Sequence, residues 1–275
     1  MSKSLILVPL DGTLHARAAL PVAKALGEAM GASLRVIHVS GQTLPPLSEL
    51  AKQLGLENAG LHGWSIDACI GEPSAAIIDA ARTFGAQLIV MCTHTAAAKP
   101  AAILGHTALD VLRAMPCPVV LVPPGQKFEA WRPNRILLPH DGSPTANAAV
   151  GPAAGLARKT GAKLLVLQVG TVGVCAPAER GSLTMPLYVD QPQHEWPSWT
   201  GELLDRLACL CPEGQMPAQF CARGGEPGPE IARAAVGESV NLIVLAWKGE
   251  WAGERALALK TILREAACPI MIVHA

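Results

Sequence analysis

The eight cysteines are the most reactive side chains in the sequence, and their spacing decides which chemistry they support. Cys209, Cys211 and Cys221 share one region with His194, but no two cysteines form the C-x-x-C pair that is typical of zinc sites. The start of the chain shows no secretory leader, so we expect a cytoplasmic protein whose thiols stay reduced. The cysteine pattern therefore predicts free thiols and no metal site.

Two aspartates are candidate binding groups because each follows an apolar run and precedes a glycine, in Asp11-Gly12-Thr13 and Asp141-Gly142-Ser143. Such a carboxylate either contacts a ligand or accepts hydrogen bonds from the backbone N–H groups of its own turn. Both interpretations stay open for Asp11, whereas the turn is favoured for Asp141. The sequence has no G-x-S-x-G elbow and no Walker lysine motif, which favours a protein without catalytic activity.

Composition and charge exclude several classes of protein. Half of the 275 residues are hydrophobic and 16% are charged, which excludes a disordered chain. Lysine plus arginine equals aspartate plus glutamate at 22 each, so no basic excess favours nucleic acid or an anionic membrane as a partner. No uninterrupted apolar segment reaches the length of a membrane span.

An internal repeat divides the chain into two domains. Residues 6–40 align with residues 136–170 without a gap, and Gly71-Glu72-Pro73 and Cys117-Pro118 recur as Gly225-Glu226-Pro227 and Cys268-Pro269. The repeat predicts domains over residues 1–125 and 134–275. The second domain has an insert at about residues 171–220, in which residues 187–199 concentrate aromatic side chains and a helix over 201–210 follows.

Apolar runs alternate with amphipathic stretches in each copy, which predicts strands that alternate with helices. Few charges in the strands indicate a parallel sheet covered on both faces, so each copy is predicted to be a doubly wound, five-stranded α/β domain. In the first copy the predicted strands are Leu5–Leu10, Leu34–Val39, Ser65–Ile70, Leu88–Met91 and Val119–Val122, and the predicted helices are Ala16–Ala29, Pro45–Leu56, Glu72–Phe84 and His106–Ala114.

The same motifs resemble a known family. Pro9-Leu10-Asp11-Gly12-Thr13, Gly71-Glu72-Pro73 and Leu104-Gly105-His106-Thr107, with the Cys117-Pro118 pair, look like the universal stress protein family, and the second copy repeats most of them. The resemblance implies a Rossmann-like, adenine nucleotide alpha hydrolase-like fold in both domains. It also implies an internal pseudo-dimer in which strands Val119–Val122 and Pro269–Val273 pair, with a homodimer as a further option.

The resemblance implies an adenine nucleotide such as ATP as ligand, held at the carboxyl ends of the strands. Nucleotide-binding members carry G-x-x-G after the fourth strand, but Cys92 and Thr95 stand at those glycine positions here, where a Cβ is expected to cause backbone strain. The candidate binding residues are Pro9, Asp11, Val39, Cys92, Thr93, His94, Thr95, Gly105, His106 and Thr107. Their second-copy equivalents are Pro139, Asp141, Val169, Trp247 and Gly249.

Three functions follow from these residues. The favoured one is a non-enzymatic stress-response protein that acts as a binding or interaction module, with no certain cofactor. The alternative is an adenine-nucleotide binder that uses the first domain only, with slow hydrolysis as an option. A small-molecule or thiol sensor that uses Cys92 at the crevice is the third. The aromatic stretch 187–199 is either a lid, a docking surface for a protein partner, or a loop packed on its own domain.

Overall fold

The computed structural model describes residues 4–41, 43–44, 46–56, 64–93, 103–126, 128–170, 201–203, 205–209, 218–251 and 254–275. The chain divides into two compact units. The first contains residues 1–132 and 267–271, and the second contains residues 133–266 and 272–275.

The first unit has the five parallel strands that were predicted, and the structure gives their order as β3-β2-β1-β4-β5. Helices α4 and α5 pack against each other, and right-handed crossovers place α2 and α3 on the other face of the sheet. The elements in chain order are β1 Leu5–Pro9, α1 Leu14–Arg17, α2 Ala19–Met30, β2 Ser33–Ser40, α3 Leu47–Gln53, β3 Ser65–Ile70, α4 Pro73–Thr83, β4 Leu88–Cys92, α5 His106–Ala114 and β5 Val119–Val122.

The second unit repeats this arrangement with strand order β9-β6-β7-β8, and the end of β10 lies beside β9, where Ala275 N donates to Trp247 O over 3.1 Å. Both units therefore have the predicted α/β class. The elements are β6 Arg135–Pro139, α6 Pro144–Asn147, α7 Val150–Thr160, β7 Lys163–Gly170, β8 Ala218–Gly224, α8 Pro227–Gly237, β9 Leu242–Trp247, α9 Glu254–Glu265 and β10 Ile270–His274.

The central strands of each unit are buried on both faces. Ile6, Leu7 and Val8 in β1 all have no exposed surface, and neighbouring side chains of a strand point to opposite faces. A sheet whose consecutive residues are all buried must be covered by helices on both sides. The lack of charge in this strand thus accounts for the doubly wound fold.

The predicted helix Ala16–Ala29 is wrong in one respect, because the structure divides it into α1 and α2. Pro21 lies in the first turn of α2 and has no N–H group to donate to the carbonyl of Arg17. The chain tightens at Ala18 instead, whose N–H donates to His15 O over 3.1 Å. Pro152, in the first turn of α7, explains the equivalent break in the second unit.

Several other boundaries differ from the prediction. Helix α3 is shorter than Pro45–Leu56, and its last carbonyl, Gln53 O, accepts a hydrogen bond of 2.7 Å from Arg17 Nη2. Residues 201–203 and 205–209 are helical, and Leu203 and Leu207 are buried. Leu204, Leu210 and the aromatic stretch 187–199 lie outside the described residues. No helix in the described ranges is long and apolar enough to cross a membrane. The pseudo-dimer stays a prediction.

Candidate functional site

The turn that follows β1 uses the Asp11 carboxylate as a cap. Asp11 Oδ1 accepts hydrogen bonds from Thr13 N over 2.9 Å and from Thr13 Oγ1 over 2.7 Å, and Thr13 Oγ1 accepts from Ala16 N at the start of α1. Gly12 takes the left-handed φ of +86° that this turn requires. The other oxygen of this exposed carboxylate, Oδ2, accepts no hydrogen bond within the described part of the chain. Asp11 can therefore cap its turn through Oδ1 and contact a ligand through Oδ2 at the same time.

The carboxyl ends of β1, β2 and β4 lie at one edge of the first sheet. Buried Pro9 ends β1 beside Ile37, and half-buried Val39 lies opposite Cys69. The strand order reverses between β1 and β4, because β1 leads to β2 on one side and β4 leads to β5 on the other. Such a reversal opens a crevice beyond the strand ends, where α/β proteins bind ligands. Asp11 and Cys92 flank this crevice.

Cys92 does not carry the backbone strain expected at a missing glycine. It is the last residue of β4, is buried, and pairs with Val122 of β5 in a regular parallel register. Among the described non-glycine residues, only Met115 and Ser239 have a positive φ. The predicted penalty for a Cβ at position 92 is therefore wrong as far as backbone conformation is concerned, since an extended strand accepts any residue.

The start of α5 lies directly beside the end of β4. Gly105 N donates to Thr93 O over 2.9 Å, and Gly105 is the N-cap residue with an ordinary φ of −66°. As a glycine, the N-cap residue has no side chain with which to cap this helix, unlike α4, whose first N–H groups are capped by Glu72. The first turn of α5 thus offers backbone N–H donors and the positive end of the helix dipole at the crevice.

The remaining first-unit candidates divide into two groups. His106 is exposed and Thr107 is half-buried, and both lie in the first turn of α5. His94 and Thr95 lie outside the described residues. The structure thus brings Pro9, Asp11, Cys92, Thr93 and Gly105 to one edge of the sheet, together with the first turn of α5.

The second unit repeats the aspartate turn. Asp141 Oδ1 accepts hydrogen bonds from Ser143 N over 3.0 Å and from Ser143 Oγ over 2.5 Å, and Gly142 has a φ of +77°. Pro139 and Val169 are half-buried at the ends of β6 and β7. The carboxylate therefore has the same local role in both units.

The second unit differs at the end of its fourth strand, where Trp247 stands at the position of Thr93. The Trp247 side chain is 3% exposed, and its Nε1–H donates to Glu250 O over 3.1 Å across a turn at Gly249, which has a φ of +87°. The ring of Trp251 meets it edge-on, with centroids 5.7 Å apart. Trp247 is thus a large buried side chain at the strand end, where the first unit has the smaller and equally buried Thr93.

Two further contacts fix this aromatic pair. Lys260 Nζ, on α9, donates to Trp251 O over 2.9 Å and lies 5.2 Å from the centroid of the Trp251 ring. Helix α9 begins at Glu254, so Ala256, which aligns with Gly105, lies inside its first turn and is buried. The glycine N-cap at the start of α5 thus has no counterpart at Ala256.

Sequence reasoning missed His140 and Asn147. His140 is 3% exposed, its Nδ1 accepts from Gly142 N over 3.0 Å, and its Nε2 lies 3.1 Å from Asn147 Oδ1. The first unit has Leu10 and Arg17 at these two positions. The replacement of both residues between the two copies could have pointed to a contact between His140 and Asn147.

The described residues contain no group of three or more histidine, cysteine, aspartate or glutamate side chains that could hold a metal ion. No described cysteine takes part in a disulfide. Burial raises the pKa of the Cys117 thiol to about 12. Burial also raises the pKa of Cys69, with a smaller contribution from the carboxylate of Asp67.

Comparison with known proteins identifies the family. Residues 41–123 and 133–274 match the model of the Universal stress protein family. A universal stress protein from Thermus aquaticus is 34% identical over 132 residues, which cover 42% of this chain and 96% of that protein.

Two solved structures share the fold over nearly the whole chain. A universal stress protein from Archaeoglobus fulgidus has a TM-score of 0.67 at 18% identity, covering 98% of this chain and 96% of that one. A protein of unknown function from Pseudomonas aeruginosa has a TM-score of 0.68 at 16% identity, covering 99% of this chain and 93% of that one. The chain belongs to the universal stress protein family and carries two such domains in tandem.

Proposed function

We propose that this chain is a non-enzymatic binding module of the stress response, in which the first unit holds one adenine nucleotide and the second unit holds none. The observation behind this proposal is the difference between Thr93 and Trp247 at equivalent strand ends. Both side chains are buried, but Thr93 is far smaller than the indole of Trp247 and lies beside the glycine N-cap of α5. In this proposal the smaller residue leaves room for a ligand in the first unit, whereas the indole and its contact with Glu250 take that room in the second.

Each group at the first crevice has a distinct part in the proposed binding. The Asp11 Oδ2 atom accepts a hydrogen bond from a ribose hydroxyl or the adenine amine, while Oδ1 keeps the turn in place. The first-turn N–H groups of α5 donate to phosphate oxygens, and the helix dipole favours their negative charge. Cys92 is compatible with this arrangement because its backbone is an ordinary strand.

The proposal does not include turnover of the nucleotide. Asp11 is the carboxylate at the crevice, and its Oδ1 atom already accepts two hydrogen bonds from Thr13. A general base must reach the proton that it removes and be poised for that transfer. The commitment of Asp11 to its turn favours a role in binding over a role in activating water.

Isothermal titration of the full-length chain with ATP, ADP and AMP in the presence of magnesium tests the proposal. We expect one binding event that Asp11→Asn weakens by about tenfold or more, since the lost charge-assisted hydrogen bond contributes roughly 1.5–3 kcal/mol. Asparagine keeps an Oδ1 acceptor for Thr13, so the turn survives. Asp141→Asn in the second unit is the matched control and is expected to leave the affinity unchanged.

Three results would contradict the proposal. The first is the absence of heat with all three nucleotides from protein that is shown to be folded. The second is an equal loss of affinity in the Asp11 and Asp141 variants, which would place the ligand elsewhere. The third is multiple turnover of ATP to ADP, measured by chromatography of the same samples, which would show an enzyme.

A further inference from the structure

We propose that His140 makes the turn between β6 and α6 sensitive to pH, because the neutral ring holds this turn and the protonated ring releases it. The inference concerns the second unit and is independent of nucleotide binding in the first.

The two hydrogen bonds of the His140 ring define its protonation state. A backbone N–H can only donate, so Nδ1, which accepts from Gly142 N over 3.0 Å, must carry a lone pair. Nε2 then carries the proton and donates to Asn147 Oδ1 over 3.1 Å. Both bonds exist together only for the neutral ring with its proton on Nε2.

A second proton on the ring removes one of these bonds. Protonated Nδ1 is a donor that points at the donating N–H of Gly142, so the contact between them becomes repulsive. His140 is 3% exposed, and the ring cannot turn to water without moving its surroundings. The backbone at Gly142 must therefore shift or open when the ring is charged.

This shift affects the residues that the turn positions. Asp141 Oδ1 accepts from Ser143 N, and the His140 ring accepts from Gly142 N. Ser143 Oγ caps α6 by accepting from Ala146 N over 3.2 Å. Loss of the ring contact leaves the carboxylate as the main anchor. The start of α6 and the direction of Asp141 are thus linked to the charge of His140.

Burial of the ring favours its neutral state. Burial lowers the pKa of His140, while the Asp141 carboxylate and the Asn147 hydrogen bond oppose this shift. Among the described residues, Asp141 is the charged group beside the ring, because α6 and β9 contain no ionisable residue. The charged residues of the other neighbouring elements are Arg135 and Lys163, at the opposite ends of β6 and β7, and Arg158 and Lys159, in the last turn of α7.

Strand β7 supplies an acceptor for the charged ring. Pro139 pairs with Leu167 in the parallel register of β6 and β7. The next residues, His140 and Gln168, therefore lie on the same face of the sheet, with their Cα atoms about 5 Å apart. Gln168 is 3% exposed, and its Oε1 accepts no hydrogen bond in the described part of the chain. Gln168 Oε1 is thus an acceptor that no described donor uses, and we expect it to accept from the charged ring once the turn has opened.

The first unit provides an internal reference. Leu10 stands at the position of His140 and is equally buried, and the Asp11-Gly12-Thr13 turn has the same hydrogen bonds to its aspartate. Leucine does not titrate, so the equivalent turn of the first unit lacks this dependence on pH. One chain thus contains the sensitive and the insensitive form of the same turn.

Hydrogen exchange of the full-length chain, read by NMR between pH 8 and pH 5 and corrected for intrinsic exchange rates, tests the proposal. We expect the protection of the Gly142 amide to fall by about tenfold or more as the His140 ring titrates, while the protection of the Gly12 amide stays constant. His140→Leu, which reproduces the first-unit residue, is expected to remove the dependence at Gly142.

A second variant covers the case in which His140→Leu does not fold. Asn147→Ala removes a contact that favours the charged ring, so the change at Gly142 is expected to move to lower pH. The proposal is overturned if Gly142 and Gly12 show the same protection at every pH, or if the ring of His140 titrates without any change at Gly142. The proposal is also overturned if Asn147→Ala does not move the pH at which the protection of Gly142 changes.

Discussion

The indole of Trp247 lies edge-on to the indole of Trp251, with ring centroids 5.7 Å apart and an angle of 82° between the ring planes. This pair closes the end of the fourth strand of the second unit, and Glu250 O and Lys260 satisfy the polar groups around it. The favoured edge-to-face geometry adds to the burial of a large apolar surface. These contacts are the basis for the proposal that the second domain binds no nucleotide at this place.

Removal of the Trp247 side chain is expected to destabilise the second unit. Trp247→Ala deletes a buried indole and its hydrogen bond to Glu250, so the free energy of unfolding falls by about 3–5 kcal/mol. Trp251 is half-buried, so Trp251→Ala is the matched comparison and costs less. Urea denaturation followed by circular dichroism measures both. Equal losses in the free energy of unfolding would show that Trp247 contributes no more to stability than Trp251.

The stability of the chain is expected to fall in mild acid because of His140. The pKa of an unfolded histidine is about 6.5, and burial lowers the folded value, so the unfolded state binds more protons between the two values. The contribution of the neutral ring is complete above about pH 6.5 and is lost as the pH falls toward the folded pKa. Urea titrations of the wild type and His140→Leu at several pH values test this. Parallel pH profiles for the two proteins would exclude the effect.

Helices α8 and α9 approach each other closely at Gly228. A Cβ at this position lies 2.7 Å from Thr261 Cβ and 3.2 Å from Ala258 Cα, so Gly228→Ala is expected to cost about 1–3 kcal/mol. Gly155 in α7 has no neighbour within 4 Å of an added Cβ, and Gly155→Ala is expected to add about 0.5–1 kcal/mol of stability. We expect thermal unfolding to show a lower Tm for Gly228→Ala and a higher Tm for Gly155→Ala. A neutral Gly228→Ala would show that the helices can separate freely.

The cysteines are expected to differ widely in their reaction with iodoacetamide. Burial raises the pKa of Cys117 to about 12, so at pH 8 its thiolate fraction is about a thousandfold or more below that of an ordinary thiol. Among the cysteines that the structure describes, Cys209 is exposed and is expected to react first. Peptide mass spectrometry after short labelling of the folded chain ranks the sites. Rapid labelling of Cys117 would show that its surroundings open on the timescale of the reaction.

The strands and most helices could be predicted from the sequence because local pattern determines them. Ser65–Ile70, Val119–Val122 and the helix His106–Ala114 have the predicted bounds. The break between α1 and α2 was also encoded, since Pro21 lacks the N–H group that a continuous helix needs. The sequence pattern did not reveal this break, because the helical spacing of apolar residues continues through both helices.

The details of the sites depend on contacts between distant residues, which no local pattern contains. The strand pattern places Trp247 at a strand end, but its burial depends on the turn to Glu250 and on Lys260 from α9. The absence of strain at Cys92 follows from its pairing with Val122, a contact between separate strands. A comparison of the copies could have shown that Leu10 and Arg17 are replaced by His140 and Asn147, but only the geometry shows that the two later residues are hydrogen-bonded.

Native mass spectrometry of the full-length chain, titrated with ATP to saturation, tests the central claim most directly because it counts the ligands on each molecule. The account predicts one nucleotide per chain, which Asp11→Asn reduces and Asp141→Asn retains. Two nucleotides per chain would contradict the assignment of a closed crevice to the second unit. No nucleotide on folded protein would contradict the assignment of a binding site to the first.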